Sequence, residues 1–391
     1  RFRIIKKTYR FLIFFIICLD MKFKIARSIF FKTLSHLQGI VDKKNSLPIL
    51  SNILIEAKNN QLILSSTDMD ISIIEKINCN VQEDGATTIN SQILYDIVRK
   101  IDDNSEIELI SNNGKLLTLR ANGSRFSLAS LPQEDYPIIN QENTGVKLQI
   151  SSKILFKLID KTKFAISNEE TRYFLNGLYF NITNESNKNI VTLVGTDGHR
   201  LAKFSHYIEG NIDQISGVII PKKTIYELSK LLSEIDEDIK ISISSNKVIF
   251  YIGNIIFISK LIDGSFPDYK RVIPKDNSNV LKINREILLS AVDRVSTIAN
   301  EKSPVIKFKL LNNNLNLNTI NNESSTASED LAIDYDGDEI EIGFNSKYIM
   351  DIVNNLEDDE ISINLKNNTS PIIALESSNS NLVYVLMPMR V

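Results

Sequence analysis

The stretch Phe257–Tyr269, FISKLIDGSFPDY, decides the fold because an earlier segment is similar to it. Residues 125–137 read RFSLASLPQEDYP, which places Pro137 and Pro267 130 positions apart. A third copy, YVLMPMRV, closes the chain at 384–391 and stops where the other two turn. Self-similarity at a fixed period is typical of a chain built from repeated units. The sequence therefore predicts three repeats of roughly 125–130 residues each.

Helical and strand patterns alternate within each repeat. Short alternating segments such as KLLTLRA at 115–121 and KVIFYIG at 247–253 predict antiparallel strands. Two helices per repeat are predicted by apolar residues at i, i+3 and i+4, in the windows 28–41, 91–101, 151–166, 221–235, 284–299 and 345–356. Suitable N-caps are Ser28, Ser91, Asn284 and Asn345, and Pro221 suits a first helical turn.

These patterns predict an α+β fold of three similar domains, each with two helices and antiparallel sheets. We place the domains at 21–145, 146–277 and 278–391, and leave residues 1–20 outside the fold. Residues 1–20 combine a basic start with the apolar run FLIFFIICL, as a signal peptide does, but no A-x-A-like cleavage site follows. Because Met21 opens a well-patterned segment, we favour a wrongly assigned start site over secretion.

Composition excludes several classes of protein. The 391 residues are 43% hydrophobic, enough for several cores, and the net charge of −3 gives no overall signature of nucleic-acid binding. Two cysteines without a CxxC pair argue against a disulfide framework or a zinc site. No Walker loop, GxGxxG, HExxH or GxSxG motif occurs, so common enzyme signatures are absent from the sequence.

Charge is unevenly distributed along the chain. The predicted helix windows are basic in total, whereas the rest of the chain after residue 20 is acidic. A basic lining on an acidic body suits a polyanion held at one surface. Ordinary solvated helix faces would also explain this pattern.

Thr196–Leu201, TDGHRL, is the sharpest internal motif, and its Thr-Asp pair repeats Thr67-Asp68. Asp197 and His199 could form an acid–base pair. A turn that presents His and Arg beside an apolar rim describes a binding edge equally well, and no nucleophile with a supporting base is visible nearby.

Two acidic clusters raise the question of metal binding. The stretch 334–341, DYDGDEIE, lacks EF-hand spacing and is better explained by a polar hairpin turn. Asp68 and Asp70 could hold a metal in a nuclease, but one short pair is weak support for such a site.

Apolar residues also occur where solvent-exposed chain would be expected. The C-terminal MPMRV follows the apolar run LVYVL, and Val272 and Ile273 lie in a proline-flanked connection. Methionine-rich surfaces adapt to several partners. A final strand buried in a core is the alternative explanation.

Three motifs together, TDGHRLA at 196–202, SKLIDGSFPDYKRVIP at 259–274 and YVLMPMRV at the C-terminus, closely resemble those of the bacterial DNA polymerase III beta subunits, the sliding clamps. RYFLNGLYF at 172–180 and LPILSNILIEA at 47–57 extend the resemblance from Met21 to Val391. The resemblance implies a head-to-tail homodimer that closes a ring around duplex DNA, with helices lining the hole and sheets forming the outer wall. It implies a cytoplasmic processivity factor without catalysis or cofactor.

The same resemblance implies three sets of functional residues. Partners, which would include the replicative DNA polymerase alpha subunit, the clamp loader and other proteins with a clamp-binding motif, would insert a peptide into a cleft formed by Leu175, Thr196, Gly198, His199, Arg200, Leu201, Pro267, Arg271, Val272, Asn345, Tyr348, Val385, Met387, Pro388, Met389 and Arg390. DNA would contact Lys44, Arg172, Tyr173 and Phe174. The ring interface would join Arg125, Phe126 and Leu128 of one subunit to Ile298 of the other.

Two positions depart from the family pattern. Phe174 lacks a hydroxyl that the family often has, and Glu169 places a negative charge where a neutral amide is common. A nucleic-acid enzyme acting through Asp68, Asp70 and Asp197, which EDTA would inactivate, and a secreted or membrane-tethered protein remain the alternatives.

Overall fold

The computed structural model describes residues 21–41, 47–112, 115–142, 145–185, 188–210, 212, 214–300, 304–320 and 325–390. Within these ranges no helix combines the length and the apolar character needed to cross a membrane. Lys44 and residues 1–20 lie outside the described residues.

The described residues form six α-helices, two in each sequence repeat, as predicted. They are α1 Arg27–Gln38, α2 Ser91–Lys100, α3 Ser152–Lys163, α4 Lys222–Ser233, α5 Arg285–Ser296 and α6 Ser346–Asn355. Together they contain fourteen Lys and Arg against six Asp and Glu, so the predicted basic character of the helices holds for the observed ones.

Two of the predicted N-caps are confirmed and two are wrong. The side chains of Asn284 and Asn345 accept backbone N–H bonds at the starts of α5 and α6. In α2 the cap is Asn90, which accepts a bond from the Ile93 N–H, so Ser91 is already helical. The helix α1 starts before Ser28, with Ala26 at a cap position that lacks a side-chain bond. Pro221 directly precedes the first residue of α4, at its N-cap.

The described residues also form twenty-five strands. The first ten are β1 Met21–Ala26, β2 Asn52–Lys58, β3 Gln61–Thr67, β4 Ile71–Asn78, β5 Asn80–Glu83, β6 Gly85–Asn90, β7 Glu106–Asn112, β8 Leu116–Ala121, β9 Ser124–Leu131 and β10 Val146–Ser151. The next seven are β11 Gly177–Glu185, β12 Lys188–Thr196, β13 Arg200–Ile208, β14 Ile215–Pro221, β15 Asp238–Ile243, β16 Lys247–Ile252 and β17 Ile255–Lys260. The last eight are β18 Asn279–Asn284, β19 Val305–Leu311, β20 Asn314–Ile320, β21 Thr326–Ala332, β22 Ile340–Asn345, β23 Glu360–Leu365, β24 Ile372–Glu376 and β25 Leu382–Leu386.

The chain divides into two compact units. Unit 1 contains the residues up to Gln149 together with Glu237–Lys260, and unit 2 contains Ile150–Asp236 and Leu261 onwards. In unit 1 one sheet runs in the order β15-β16-β17-β4-β3-β2-β6-β9-β8-β7-β1-β5, with β10 beside β15. In unit 2 an eight-stranded sheet has the order β14-β11-β12-β13-β25-β24-β23-β18, and a four-stranded sheet the order β21-β20-β19-β22.

The units cut across the sequence repeats because the last strand of a repeat pairs with a strand of the repeat before it. In unit 1, β17 is antiparallel to β4, with Phe257 opposite Ile73. In unit 2, β25 is antiparallel to β13 in the same way, with Val385 opposite Leu201. The repeated apolar segments are therefore strands that extend a neighbouring repeat's sheet. The domain boundaries at 145 and 277 stay a prediction.

The acidic stretch 334–341 is not a hairpin turn. It connects β21 to β22, and these strands lie at opposite edges of the four-stranded sheet. The connection crosses the sheet end, where the Tyr335 hydroxyl donates to the Asp338 carbonyl and Asn279 accepts the Asp338 N–H at 3.1 Å.

Candidate functional site

The turn between β12 and β13 is built by its own side chains. The Thr196 hydroxyl donates to the Arg200 carbonyl at 2.7 Å and accepts the Gly198 N–H at 3.1 Å. Asp197 Oδ1 accepts the backbone N–H groups of His199 and Arg200, both at 2.9 Å. Gly198 adopts φ +88°, a left-handed conformation that glycine tolerates best. The result is a rigid turn that presents His199 to solvent.

The first repeat contains the same turn. Thr67 donates to the Ile71 carbonyl and accepts the Met69 N–H, while Asp68 Oδ1 accepts the N–H groups of Asp70 and Ile71. Met69 has φ +79°, the counterpart of Gly198. The Asp68 carboxylate thus serves the backbone, and the described residues contain no cluster of three His, Cys, Asp or Glu side chains able to hold a metal.

An apolar cluster lies where β13 meets β25. Its buried members are Val194, Leu201, Tyr269 and Val385, and Phe266 and Ile273 pack against them. The Met387 N–H donates to the His199 carbonyl at 2.8 Å, which extends the β13–β25 pairing past the end of the strand. The Leu382–Leu386 run is therefore a paired strand, as the alternative explanation held, while the residues after it lie at the surface.

Exposed apolar side chains border this cluster. Met387 is 38% exposed and Val272 is 40% exposed, and Pro388 and Met389 are half-buried. The Met389 N–H donates to the Gly343 carbonyl at 2.8 Å, which ties the chain end to β22. Because methionine is flexible and apolar, a surface of this kind can adapt to different apolar side chains.

Arg200 is held by both charge and aromatic rings. Its guanidinium donates to Asp197 Oδ2 at 3.1 Å, to the Phe164 carbonyl at 2.9 Å and to Asp351. It also lies over the Tyr348 ring at 4.4 Å, a cation–π distance. The His199 ring stacks on Tyr348 with 6.4 Å between centroids. Arg200 and Tyr348 therefore form a fixed polar wall beside the apolar cluster.

This arrangement is unsuited to acid–base catalysis. Both Asp197 oxygens are already engaged by backbone N–H groups and by Arg200. His199 is exposed and stacks on the Tyr348 ring. The geometry fits a binding edge.

Most of the predicted cleft residues lie around this cluster. The remaining ones make other contacts or are exposed. Leu175 is 3% exposed, and its carbonyl accepts the Ser167 N–H at 3.1 Å. Asn345 caps α6. Arg271 is exposed and forms an ion pair with Asp268 at 2.9 Å, beside the exposed Pro267. Arg390 is exposed at the chain end.

The site also contains residues that the sequence analysis missed. Asp351 and Phe164 complete the Arg200 contacts, and Tyr269 is the aromatic centre of the apolar cluster. Nothing in the sequence links Asp351 to Arg200, since 151 positions separate them. The repeat offered a signal for Tyr269, because the similar segment of the first repeat also contains a tyrosine, Tyr136.

The predicted DNA contacts lie on a short 3-10 segment, Glu170–Leu175. The Arg172 guanidinium pairs with Glu169 at 2.7 Å, so the unusual acid at 169 partly neutralises the predicted contact. Tyr173 is 54% exposed and packs edge-on against Phe174 at 5.8 Å. The fourth predicted contact, Lys44, is outside the described residues.

The predicted interface residues of the first repeat lie on β9. Arg125 is exposed, and Phe126 and Leu128 are half-buried. The strand pairs with β8 along 124–129, whereas β6 reaches only Ser130 and Leu131. A depression of about 450 Å³ lies beside Phe126, between β9 and α2. Ile298, just past the end of α5, is half-buried.

Family comparison covers almost all of the chain. Residues 21–140 match the N-terminal domain of the DNA polymerase III beta subunit, residues 149–268 its central domain and residues 270–390 its C-terminal domain. A curated beta sliding clamp from Caulobacter vibrioides is 39% identical over 372 residues, which is 95% of this chain and 100% of that protein. The beta sliding clamp of Escherichia coli K12 is 33% identical, with the same coverage of each chain.

Solved structures agree with the sequence comparison. The sliding clamp of Bartonella birtlesii, solved bound to griselimycin, superposes with a TM-score of 0.93 at 42% identity, covering 95% of this chain and 100% of that one. The Caulobacter crescentus clamp, solved with polyethylene glycol bound, gives 0.92 at 39% identity, covering 95% and 99%.

Proposed function

The chain belongs to the DNA polymerase III beta subunit family, the sliding clamps, and from this premise we propose that two copies close head to tail around duplex DNA and hold partner peptides in the cleft at β13 and β25. As a family member, the chain acts in DNA replication as a non-catalytic processivity factor of the polymerase holoenzyme. Three proposals go beyond family membership: the peptide cleft, the DNA contacts and the ring interface.

The proposal for the cleft depends on the apolar cluster of Leu201, Tyr269 and Val385, bordered by exposed Met387 and Val272. An apolar pocket with a fixed polar wall suits a short peptide that inserts large apolar side chains. The partners we propose are the replicative polymerase alpha subunit, the clamp loader and other proteins with a clamp-binding motif. A tether of this kind raises the polymerase's effective concentration at the primer end without any catalytic step.

The proposal for DNA is supported by the basic excess on the six helices. Lys and Arg that contact phosphates bind duplex DNA without reading its sequence, as a protein that slides along DNA requires. Arg172, Tyr173 and Phe174 would contribute from the 3-10 segment, and Lys44 from its loop. A protein acting on replicating bacterial DNA would be cytoplasmic, and we propose that location.

The proposal for the ring is supported by the partly unpaired strand β9. Its edge along 124–129 can accept a strand from another subunit, and Phe126 and Leu128 offer apolar contact. We propose that the region of Ile298 in the second subunit covers them. A head-to-tail contact of two different surfaces closes a ring when the rotation allows it.

Removal of Met387 to Val391 tests the cleft. The deletion should abolish binding of a polymerase-derived peptide, measured by isothermal titration, while the dimer persists. Met387 and Met389 would contribute roughly 1.5–3 kcal/mol each if the ligand buries them fully, or about one to two decades of affinity. The matched control is Met69→Ala. It removes an exposed methionine outside the proposed cleft, in the first repeat's counterpart of the Thr196–Arg200 turn. Unchanged peptide affinity after the deletion would refute the cleft assignment, and a large fall in Tm would mean that the tail serves mainly to hold the fold.

A further inference from the structure

A second cavity lies next to the apolar cluster and is not explained by it. The cavity has a volume of about 400 Å³ and is covered on one side by the connection that follows Phe266. Strands β11, β12 and β13 form its floor. Its charged lining consists of Lys203, Lys270, Lys275 and Glu185.

The cavity is cationic. Three lysines face one glutamate, and no ion pair to these three ammonium groups occurs among the described residues. Burial lowers the pKa of Lys203, and the nearby Lys270 lowers it further, while Glu185 opposes the shift. The lining thus has more positive than negative charge, which favours an anionic ligand.

The same cavity also contains a hydrogen-bond acceptor without a partner. Asn181 is 8% exposed and lines the cavity floor, and its Oδ1 accepts no hydrogen bond. The Asn181 side chain also forms a hydrogen bond with the side chain of Tyr269, which lines both the cavity and the apolar cluster. An acidic peptide supplies carboxylates to the lysines and apolar side chains to the adjoining cluster, whereas a nucleic-acid phosphate backbone supplies the charge alone.

The cavity is continuous with the cleft. Tyr269 and Ile273 line the cavity and also belong to the apolar cluster or pack against it. A peptide that fills the cleft with its apolar side chains therefore has its adjoining residues directed towards the lysines.

The first repeat shows that the positive charge is not a consequence of the fold. Unit 1 has a similar cavity of about 440 Å³ over β2, β3 and β4, covered by the segment around Tyr136. Its charged lining is Glu56, Glu134 and Lys76. The shared strand and turn geometry thus creates a cavity in both repeats, but the cavity beside the cleft has three lysines whereas that of unit 1 has one.

We propose that this cationic cavity, formed by Lys203, Lys270 and Lys275 over Asn181, binds acidic residues of a partner peptide that adjoin the segment held in the cleft. The inference rests on the proposed cleft and adds a charge preference to it. Partners with an acidic flank would bind more tightly than partners with a neutral flank.

The test uses the full-length protein and synthetic peptides. One peptide carries an apolar core with Ser and Gly flanks, and two others carry three Asp or Glu residues before or after the same core. We expect one acidic flank to tighten binding about tenfold at low salt, with most of that gain lost at 0.5 M salt. The double variant Lys203→Gln/Lys270→Gln should lose the gain yet bind the neutral peptide as wild type does. Lys76→Gln, in the cavity of the first repeat, is the matched control and should keep the gain.

The possible outcomes separate the two proposals. Equal binding of neutral and acidic peptides, or a gain that survives Lys203→Gln/Lys270→Gln, would overturn the inference and leave the cleft intact. Failure of every peptide to bind would overturn both. If a single-stranded oligonucleotide binds wild type but not the double variant, while acidic flanks give no gain, the cavity's ligand is nucleic acid and the peptide inference is wrong.

Discussion

Gly198 and Met69 occupy the same position of the same turn in two repeats, yet only one of them is glycine. Both adopt a left-handed φ, +88° and +79° respectively. A Cβ added to Gly198 would lie 2.5 Å from a guanidinium nitrogen of Arg172, the predicted DNA contact. Met69 is 52% exposed, so its side chain has room. Met69 shows that the turn itself accepts a side chain, whereas a side chain at position 198 would have to displace the end of Arg172.

Replacement of Gly198 by Ala should destabilise the protein. The left-handed conformation costs a residue with a Cβ about 1–2 kcal/mol, and Arg172 must also move. We expect a lower Tm in thermal denaturation and weaker DNA binding. Met69→Ala keeps a side chain already in this conformation, so its Tm should stay that of wild type. Equal losses of Tm in the two variants would contradict this explanation.

At the scale of elements, α3 is joined to the end of α6 by a buried lysine. Lys161 is 6% exposed and its Nζ donates to the Asn355 carbonyl at 2.7 Å and pairs with Glu357 at 2.7 Å. Lys157 reaches the same carboxylate at 3.1 Å. Hydrogen bonds from Lys161 hold the pKa of Glu357 below its ordinary value of 4.5.

Removal of the Glu357 charge should produce a loss of stability that depends on pH. Because the pKa is lower in the folded state, the ion pair stabilises the fold above pH 4.5, and that contribution disappears as the pH falls through the folded-state pKa. Glu357→Gln should cost about 0.5–1 kcal/mol at pH 7, since the side chain is half-exposed, and nothing near pH 2. The control is Glu227→Gln, which removes the ion-pair partner of exposed Lys230 and should change the stability less at pH 7. A Tm difference between wild type and Glu357→Gln that is the same at both pH values would refute the assignment.

The prediction for the oligomeric state concerns strand β9, the proposed ring interface. Replacing Phe126 and Leu128 with Glu should yield a monomer, because an unpaired charge in an apolar interface is costly. Gel filtration should show the smaller species, and circular dichroism should show unchanged helix and strand content. Ile138→Glu changes a 97% exposed side chain away from β9 and should remain dimeric. A double variant that elutes as a dimer would exclude this interface.

For the whole molecule, the predicted property is binding to DNA through charge alone. Affinity should fall steeply with salt and be similar for all sequences, because the contacts are to phosphates. The ion pair between Arg172 and Glu169 should weaken DNA binding, because Glu169 offsets the positive charge that Arg172 would present to a phosphate.

Variants at these two positions should shift DNA affinity in opposite directions. Arg172→Gln should weaken binding to primed DNA and reduce the salt slope by about 1, whereas Glu169→Gln should strengthen it. Lys44→Gln should behave as Arg172→Gln does, and Lys188→Gln, on β12, should have no effect. Fluorescence anisotropy at several salt concentrations measures all four variants. A strong preference for one DNA sequence, or an absence of salt dependence, would argue against an encircling clamp.

The sequence by itself determined the features that depend on neighbouring residues. Six helices follow from a 3.6-residue period, the strands from alternation, and the two turns from Thr-Asp pairs that bond to their own backbone. The segments SLPQEDYP, SFPDY and YVLMPMRV indicated three similar units. The resemblance of TDGHRLA, SKLIDGSFPDYKRVIP and YVLMPMRV to the motifs of a known family implied the sliding-clamp fold. Even here the cap of α2 was misplaced by one residue, because Asn90 and Ser91 are both good caps and only the backbone conformation decides between them.

Only the tertiary structure decided which distant segments meet. The pairing of β17 with β4 and of β25 with β13, the contact between Arg200 and Asp351, and the gathering of three lysines over Asn181 join residues far apart in the chain. Local periodicity carries no information about such pairs, since a strand can hydrogen-bond to any compatible edge. Which edge it finds is set by the packing of the whole unit, and the binding surfaces that we propose lie at those junctions.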